Sequence, residues 1–209
     1  MHSYEPRAGH GLAHDPLTSI VAPRPIGWIS TLGADGVANL APYSYFNLVS
    51  SHPPIIAFAS TGWKDSAENA RATGEFVWNL ATVPLLPAMN LSSAVVRADV
   101  DEFAFAGLAP AASDAVAAPR VAESPVAFEC RVTQQLALVD ADGASAGSWM
   151  TFGEVVRVHI DESLIVDGVY ATAAARPLLR GGGLGDYFTI EDAGRLQLRR
   201  PVPPPELAR

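Results

Sequence analysis

Lysine is nearly absent from this 209-residue chain: of its 14 basic residues 13 are arginine, and Lys64 is the one lysine. The basic residues are outnumbered by 22 acidic ones, for a net charge of −8. Non-specific binding to nucleic acid or to an anionic membrane rests on clustered positive charge, so this balance excludes both partner classes. Cysteine is equally scarce. A single Cys130 excludes an internal disulfide framework and a cysteine-built zinc site. No apolar run approaches the roughly 20 residues of a membrane-spanning helix. The N-terminal MHSYEPRAGHG has no basic stretch followed by an apolar one, so it does not read as a signal peptide. The expectation is a soluble cytoplasmic domain. Histidines give no metal site: His10 and His14 are spaced i,i+4, but no glutamate follows the first as a zinc-protease helix requires.

What the chain does have is apolar substance. Hydrophobic residues make up 49% and charged residues 17%, at a length that suits one domain with a core and short tails. Residues 81–175 hold most of the acidity, with 12 acids against 4 bases. Strand patterns dominate. Residues 26–32 and 37–43 flank Gly33-Ala34-Asp35-Gly36, whose glycines suit a hairpin. Runs at 55–60 and 75–81 follow. In 124–139, Val126, Phe128, Cys130 and Val132 alternate with Glu129, Arg131 and Thr133, and 149–160 pairs with it across Asp140-Ala141-Asp142-Gly143. One helix is predicted over 66–73, with Asp65 as N-cap, Glu68 as its capping-box partner and Gly74 as terminator. A second covers 85–92. The alanine-rich stretch 109–118 and the proline-rich end 201–205 read as loop or tail. Many strands, few helices and no βαβ rhythm point to a β-barrel or sandwich.

Three segments carry candidate chemistry. In Ser60-Thr61-Gly62-Trp63-Lys64-Asp65-Ser66 a strand turns at glycine and enters a helix. Free N–H groups at a helix start, with hydroxyls of Ser60, Thr61 and Ser66 and the Lys64 charge, make a phosphate site. Asp65 is expected to cap the helix rather than touch an anion. A capped helix with a surface lysine satisfies the same pattern. Pro42-Tyr43-Ser44-Tyr45-Phe46-Asn47 interleaves rings with small polar residues, which suits a flat heteroaromatic ligand, although core packing of the rings is the simpler reading. Arg180-Gly181-Gly182-Gly183-Leu184-Gly185-Asp186-Tyr187 is no dinucleotide fingerprint, since it lacks the final glycine and a strand–helix context. Gly143-Ala144-Ser145-Ala146-Gly147 matches G-x-S-x-G, but a hairpin loop followed by a strand is not a nucleophile elbow.

Together these segments resemble the flavin reductase-like family of FMN-binding split barrels, that of nitrilotriacetate monooxygenase component B and flavoredoxin. The resemblance is carried by Val21-Ala22-Pro23-Arg24-Pro25-Ile26-Gly27-Trp28-Ile29-Ser30-Thr31 and by Asn39-Leu40-Ala41-Pro42-Tyr43-Ser44-Tyr45-Phe46-Asn47. Lys64-Asp65-Ser66 with Asn69, Glu123-Ser124-Pro125-Val126 with Glu129-Cys130, and the glycine-rich segment add to it.

The resemblance implies a mainly β fold: a six-stranded antiparallel FMN-binding split barrel with a few peripheral helices, in a homodimer. It divides the chain into an arm (1–19), the barrel domain (20–175) and an extension (176–209) that packs on the barrel or on the partner subunit. Thr31 and Pro42, Tyr43, Ser44, Tyr45, Phe46 and Asn47 would line the ring and ribityl chain of FMN. Ser60, Lys64, Asp65 and Ser66 would belong to its phosphate end, with Arg24 a further candidate there. Asn90 and Tyr187 would reach the partner's flavin, and Trp28 reads as core. The implied activity is NAD(P)H-dependent flavin reduction, supplying reduced flavin or electrons to an acceptor or a monooxygenase component. The alternative is an FMN-binding electron carrier or flavin-sequestering protein without nicotinamide turnover. The redox chemistry belongs to the cofactor, so no side chain is assigned as acid, base or nucleophile.

Overall fold

A computed structural model of the chain describes residues 1–203. Its centre is one antiparallel sheet of seven strands: β1 (Gly27–Leu32), β2 (Ala38–Tyr43), β3 (Phe46–Ser51), β4 (Pro54–Thr61), β5 (Glu75–Asn79), β6 (Val126–Val139) and β7 (Ser145–Ile160). The spatial order is β2-β1-β5-β6-β7-β4-β3. The strand count exceeds the expected six because residues 46–51 form an edge strand on β4, with Phe46 opposite Phe58 and Ser51 opposite Pro54. That strand exposes Leu48 and Val49, so it lacks the half-buried alternation by which a strand is recognised. The two ends of the sheet approach each other where the Tyr43 ring of β2 meets Phe58 of β4, with centroids 4.9 Å apart.

Successive residues of β1 enter different cores, which is why the strand is buried along almost its whole length. Trp28 packs outward with Leu40, Met89, Phe103 and Leu178. Ile29 packs inward with Tyr43, Phe58, Phe76, Trp78 and Cys130. Side chains alternate across a strand, so a strand covered on both faces loses its polar positions. Burial pushes the Cys130 thiol pKa up, which makes it a packing residue and not a reactive one.

Three helices cover the outer face: α1 (Asp65–Thr73), α2 (Leu86–Leu91) and α3 (Glu102–Ala106). Helix α1 begins one residue before the expected start. Lys64 is its N-cap, extended at φ −108° and ψ 167°, and makes no side-chain capping bond. The Lys64 carbonyl accepts from the N–H groups of Ala67 and Glu68 and so closes the first turn. Asp65 is therefore the first helical residue rather than the cap. The Glu68 carboxylate accepts from Trp63 Nε1 and Arg71 rather than completing a capping box. Gly74 ends the helix in the left-handed region at φ 73°, as its position predicts. Helix α3 adds to the two predicted helices; Asp101 caps it by accepting from Phe103 and Ala104 N–H.

The alanine-rich stretch is not plain loop. Pro110–Ala111 pairs with Arg120–Val121, and the turn between them lies over β6. There it covers Glu129, whose side chain is fully buried although alternation assigns it to an outward face. Glu129 accepts from the N–H groups of Asp114, Ala115 and Val116 and contacts His159 Nε2 at 2.6 Å. A small second sheet joins the ends of the fold, Leu178–Arg180 lying between Arg24–Pro25 and Tyr187–Thr189. The glycine-rich loop there packs on the N-terminal segment: a Cβ at Gly182 would lie 2.5 Å from the Ser19 Cα. Within the proline-rich end, positions 204 and 205 lie outside the described residues. Among the described residues no helix is long and apolar enough to cross a membrane.

Candidate functional site

The end of β2 and the start of α1 enclose a cavity of about 300 Å³. Pro42 and Tyr43 come from the first, and Lys64, Asp65 and Ser66 from the second. These are two segments that the sequence marks separately and that the fold brings to one wall. The opposite wall is the 92–96 segment after α2, together with Glu102 at the start of α3.

The helix end supplies donors. Among the described residues, no protein group accepts from the N–H of Asp65 or Ser66. They are the first two N–H groups of a nine-residue helix, which the helical ladder always leaves unpaired. The Ser66 hydroxyl donates to Asn39 Oδ1 at 3.1 Å, and the Ser60 hydroxyl donates to the Gly62 carbonyl at 2.7 Å. The Tyr43 hydroxyl is buried beside them without any hydrogen-bond partner. Burial pushes the Tyr43 pKa up; the nearby Ser66 and Ser60 side chains oppose this and the charges of Asp65 and Glu102 reinforce it, so the phenol stays protonated and available as a donor.

Charge in the cavity is mixed. Lys64 is exposed at its mouth, while Asp65 and Glu102 bring carboxylates. The Glu102 pKa is raised, first by burial and also by the charges of Asp65 and Asp101; hydrogen bonds from its own and the Leu40 N–H oppose this. Burial thus favours the neutral acid and limits the negative field in the cavity.

The other residues singled out from the sequence lie elsewhere. Thr31 is fully buried behind α1, where Asn69 Nδ2 donates to its Oγ1 at 3.2 Å. Ser44, Tyr45, Phe46 and Asn47 continue from the cavity wall into β3: Ser44 is half-buried, Tyr45 and Asn47 are exposed, and Phe46 stacks on Trp78 at 5.5 Å. Arg24 is no phosphate ligand in this arrangement. Its guanidinium donates to the carbonyls of Thr18, Val21, Ser44 and Gly181 and ties the N-terminal segment to the glycine-rich loop. Asn90 is exposed on α2, and Tyr187 is half-buried under Arg180 at 5.1 Å. Trp28 is core, as expected, with its Nε1 donating to Ser92 Oγ at 2.9 Å. Sequence reasoning did not mark Ser92, Glu102 or Asn39 as cavity residues. Only Asn39 carried a signal, from its place in the 39–47 motif.

The model of the flavin reductase like domain matches residues 21–178. The chain belongs to that family. A protein of Aquifex aeolicus is 31% identical to it over 189 residues, spanning 88% of this chain and 91% of that protein. Nitrilotriacetate monooxygenase component B from Bacillus cereus superposes with a TM-score of 0.84 at 29% identity, over 95% of this chain and 98% of its own. Flavoredoxin of Desulfovibrio vulgaris, at 21% identity and a TM-score of 0.73 over 86% of this chain and 91% of its own, shares the fold. The flavin reductase-like domain thus accounts for the antiparallel barrel. It is a flavin-binding, oxidoreductase-type domain.

Proposed function

We propose that this flavin reductase-like protein binds FMN through the cavity at the start of α1 and reduces it with a nicotinamide hydride donor. The observation that carries the reading is the buried, unpartnered Tyr43 hydroxyl beside the free N–H groups of Asp65 and Ser66. Buried polar groups are nearly always paired, so an orphan in a cavity wall marks a missing hydrogen-bond partner. Helix N–H groups, hydroxyls and a lysine are the donor set that a phosphate ester takes. The residues present therefore fit the phosphate and ribityl end of FMN.

When bound, FMN supplies the redox chemistry, accepting hydride and passing electrons on. The protein's part is to hold and orient. The N–H groups of Asp65 and Ser66 would take the phosphate, with the Ser66 side chain held at its edge by Asn39, and Lys64 would close over it from solvent. The 42–47 segment, which runs from the cavity into β3, would present its backbone and rings to the isoalloxazine. Thr31 and Ser60 act from behind this wall, bracing α1 and the turn before it. With no dinucleotide fingerprint in the sequence, the nicotinamide would meet the flavin at its open face. A homodimer, and delivery of reduced flavin to a separate oxygenase, accord with the likeness to a monooxygenase component B.

An absorbance spectrum tests all of this. The purified protein mixed with FMN and passed over a desalting column is expected to retain flavin bands, and anaerobic NADH or NADPH to bleach them. Retained flavin that neither donor bleaches would favour the electron-carrier reading. A colourless protein would overturn the proposal.

A further inference from the structure

Beyond the cavity, on the other side of Trp63, lies an open groove of about 640 Å³ lined by Trp63, Trp149, Gln135, Arg71, Glu68 and Ala137. We infer that this groove is a stacking site for the adenine ring of an adenine nucleotide whose phosphates reach back toward Lys64. The inference rests on the proposed cofactor cavity and extends it.

Four features support it. Trp63 lines both the cavity and the groove, so the two adjoin at that ring. The chain has four tryptophans; Trp28 and Trp78 are buried in the cores, whereas Trp63 is exposed and Trp149 half-buried. The rings of Trp63 and Trp149 meet edge to face with centroids 5.3 Å apart, which leaves ring surface toward the groove. Two tryptophans together at the surface, one in the turn before α1 and one on β7, make an apolar surface of the kind that marks a ligand groove.

The surroundings are preorganised. The Arg71 guanidinium lies 4.7 Å from the Trp63 ring and bonds Glu68 through both carboxylate oxygens, while Trp63 Nε1 donates to Glu68. This cluster fixes the Trp63 ring plane and leaves little net charge beneath it. Gln135 is fixed from the other side: its Nε2 donates to the Ala67 carbonyl and to Thr151 Oγ1. Among the described residues nothing donates to Gln135 Oε1, which leaves an amide acceptor at the groove. Adenine offers a π face to stack on an indole and an exocyclic amino donor for that acceptor; hypoxanthine keeps the face but carries a carbonyl oxygen where the amino group stood. In FAD the phosphates would be the ones already assigned to Lys64, next to Trp63 in sequence; a second nucleotide beside FMN would share that lysine.

Two molecules carry this chemistry: a nicotinamide dinucleotide resting on the flavin, and FAD bound in place of FMN. Titration of the FMN-loaded protein with AMP and with IMP, followed by tryptophan fluorescence, tests the site directly. AMP is expected to quench, with IMP binding several-fold more weakly. Trp149→Leu keeps a β-compatible residue in β7 outside the cofactor cavity; it is expected to retain FMN and to weaken AMP about tenfold, within the range for one base–aromatic stack. Parallel titrations with NAD⁺ and, on apoprotein, with FAD identify the source, since only the ligand that places adenine here loses affinity in the variant. If wild type and Trp149→Leu bind AMP, NAD⁺ and FAD equally, the groove is no adenine site, whatever the FMN result. If wild type retains no FMN, the cavity assignment fails instead, and AMP quenching still reports on the groove.

Discussion

Ser66 and Asn39 face each other across the base of the cavity, the serine hydroxyl donating to the asparagine carbonyl oxygen at 3.1 Å. With the Ser60 hydroxyl committed to Gly62, neither serine donates to the Tyr43 hydroxyl beside them. That arrangement predicts opposite effects of one substitution on the empty and loaded protein. Tyr43→Phe removes a buried polar atom without a partner, so the apoprotein should gain about 1 kcal/mol of stability. FMN binding should lose a similar amount, roughly a fivefold rise in Kd. Thermal melts with and without FMN measure both. Equal melting shifts in the two states would show that the hydroxyl meets no ligand.

Lys64→Ala tests the phosphate end. Lys64 is exposed, so its charge acts through water and is screened by salt. The expected loss of FMN affinity is about 1 kcal/mol, at the upper end for exposed charge pairs. It should shrink as ionic strength rises. Riboflavin, which lacks the phosphate, should bind wild type and variant alike. An equal loss for riboflavin would place Lys64 elsewhere on the ligand.

Glu102→Gln probes the mixed charge of the cavity. The Glu102 pKa is raised, chiefly by burial, so its contribution to stability is complete below the pKa of the unfolded chain, near 4.3. That contribution is lost as pH rises through the folded value. Glutamine keeps an acceptor for the Leu40 N–H and never ionises. The variant should therefore gain on wild type between pH 4, below the unfolded value, and pH 8. FMN should also bind it more tightly at pH 8, where wild type carries the extra negative charge. Urea unfolding at both pH values gives the first quantity and flavin titration the second. A stability difference that does not change with pH would contradict the assignment.

The elements legible in the sequence were those whose pattern is local. Strands β1, β2 and β4 to β7 and helix α1 announce themselves by periodicity and turn residues, and one wall of the cavity by segments at a strand end and a helix start. What was not legible depends on contacts made far along the chain. Strand β3 exposes Leu48 and Val49 and is a strand only because β4 pairs with it. Asp65 as a cap and as the first helical residue differ by the backbone conformation of Asp65 alone, which composition does not encode. Arg24 looks like an anion ligand until four carbonyls from three segments surround it. Glu102 reaches the cavity from α3, 62 residues from its Leu40 partner.

Glu129 is the sharpest case of that kind, and it yields a prediction of its own. Alternation along β6 puts it on a polar face, yet its carboxylate is fully buried and collects three backbone N–H groups of the 112–119 turn. Burial alone would raise its pKa. The bonds from Asp114 N–H, His159 and Ala115 N–H outweigh burial and hold the carboxyl below the ordinary glutamate range. A depressed folded pKa gives stability that is present above the unfolded value, near 4.3, and lost as pH falls through the folded one. Glu129→Ala strands three donors and His159 and should cost about 3 kcal/mol at pH 7. Glu129→Gln keeps an acceptor but not the charge, so it should cost less at pH 7 and converge on wild type as pH falls toward 3. Hydrogen exchange at Asp114, Ala115 and Val116 should speed up in both variants while the β5–β6 ladder stays protected. Unchanged exchange at those three amides would mean that the turn is held by its other contacts, from Glu75 to Ala117 N–H and from Arg131 to the Ala115 carbonyl.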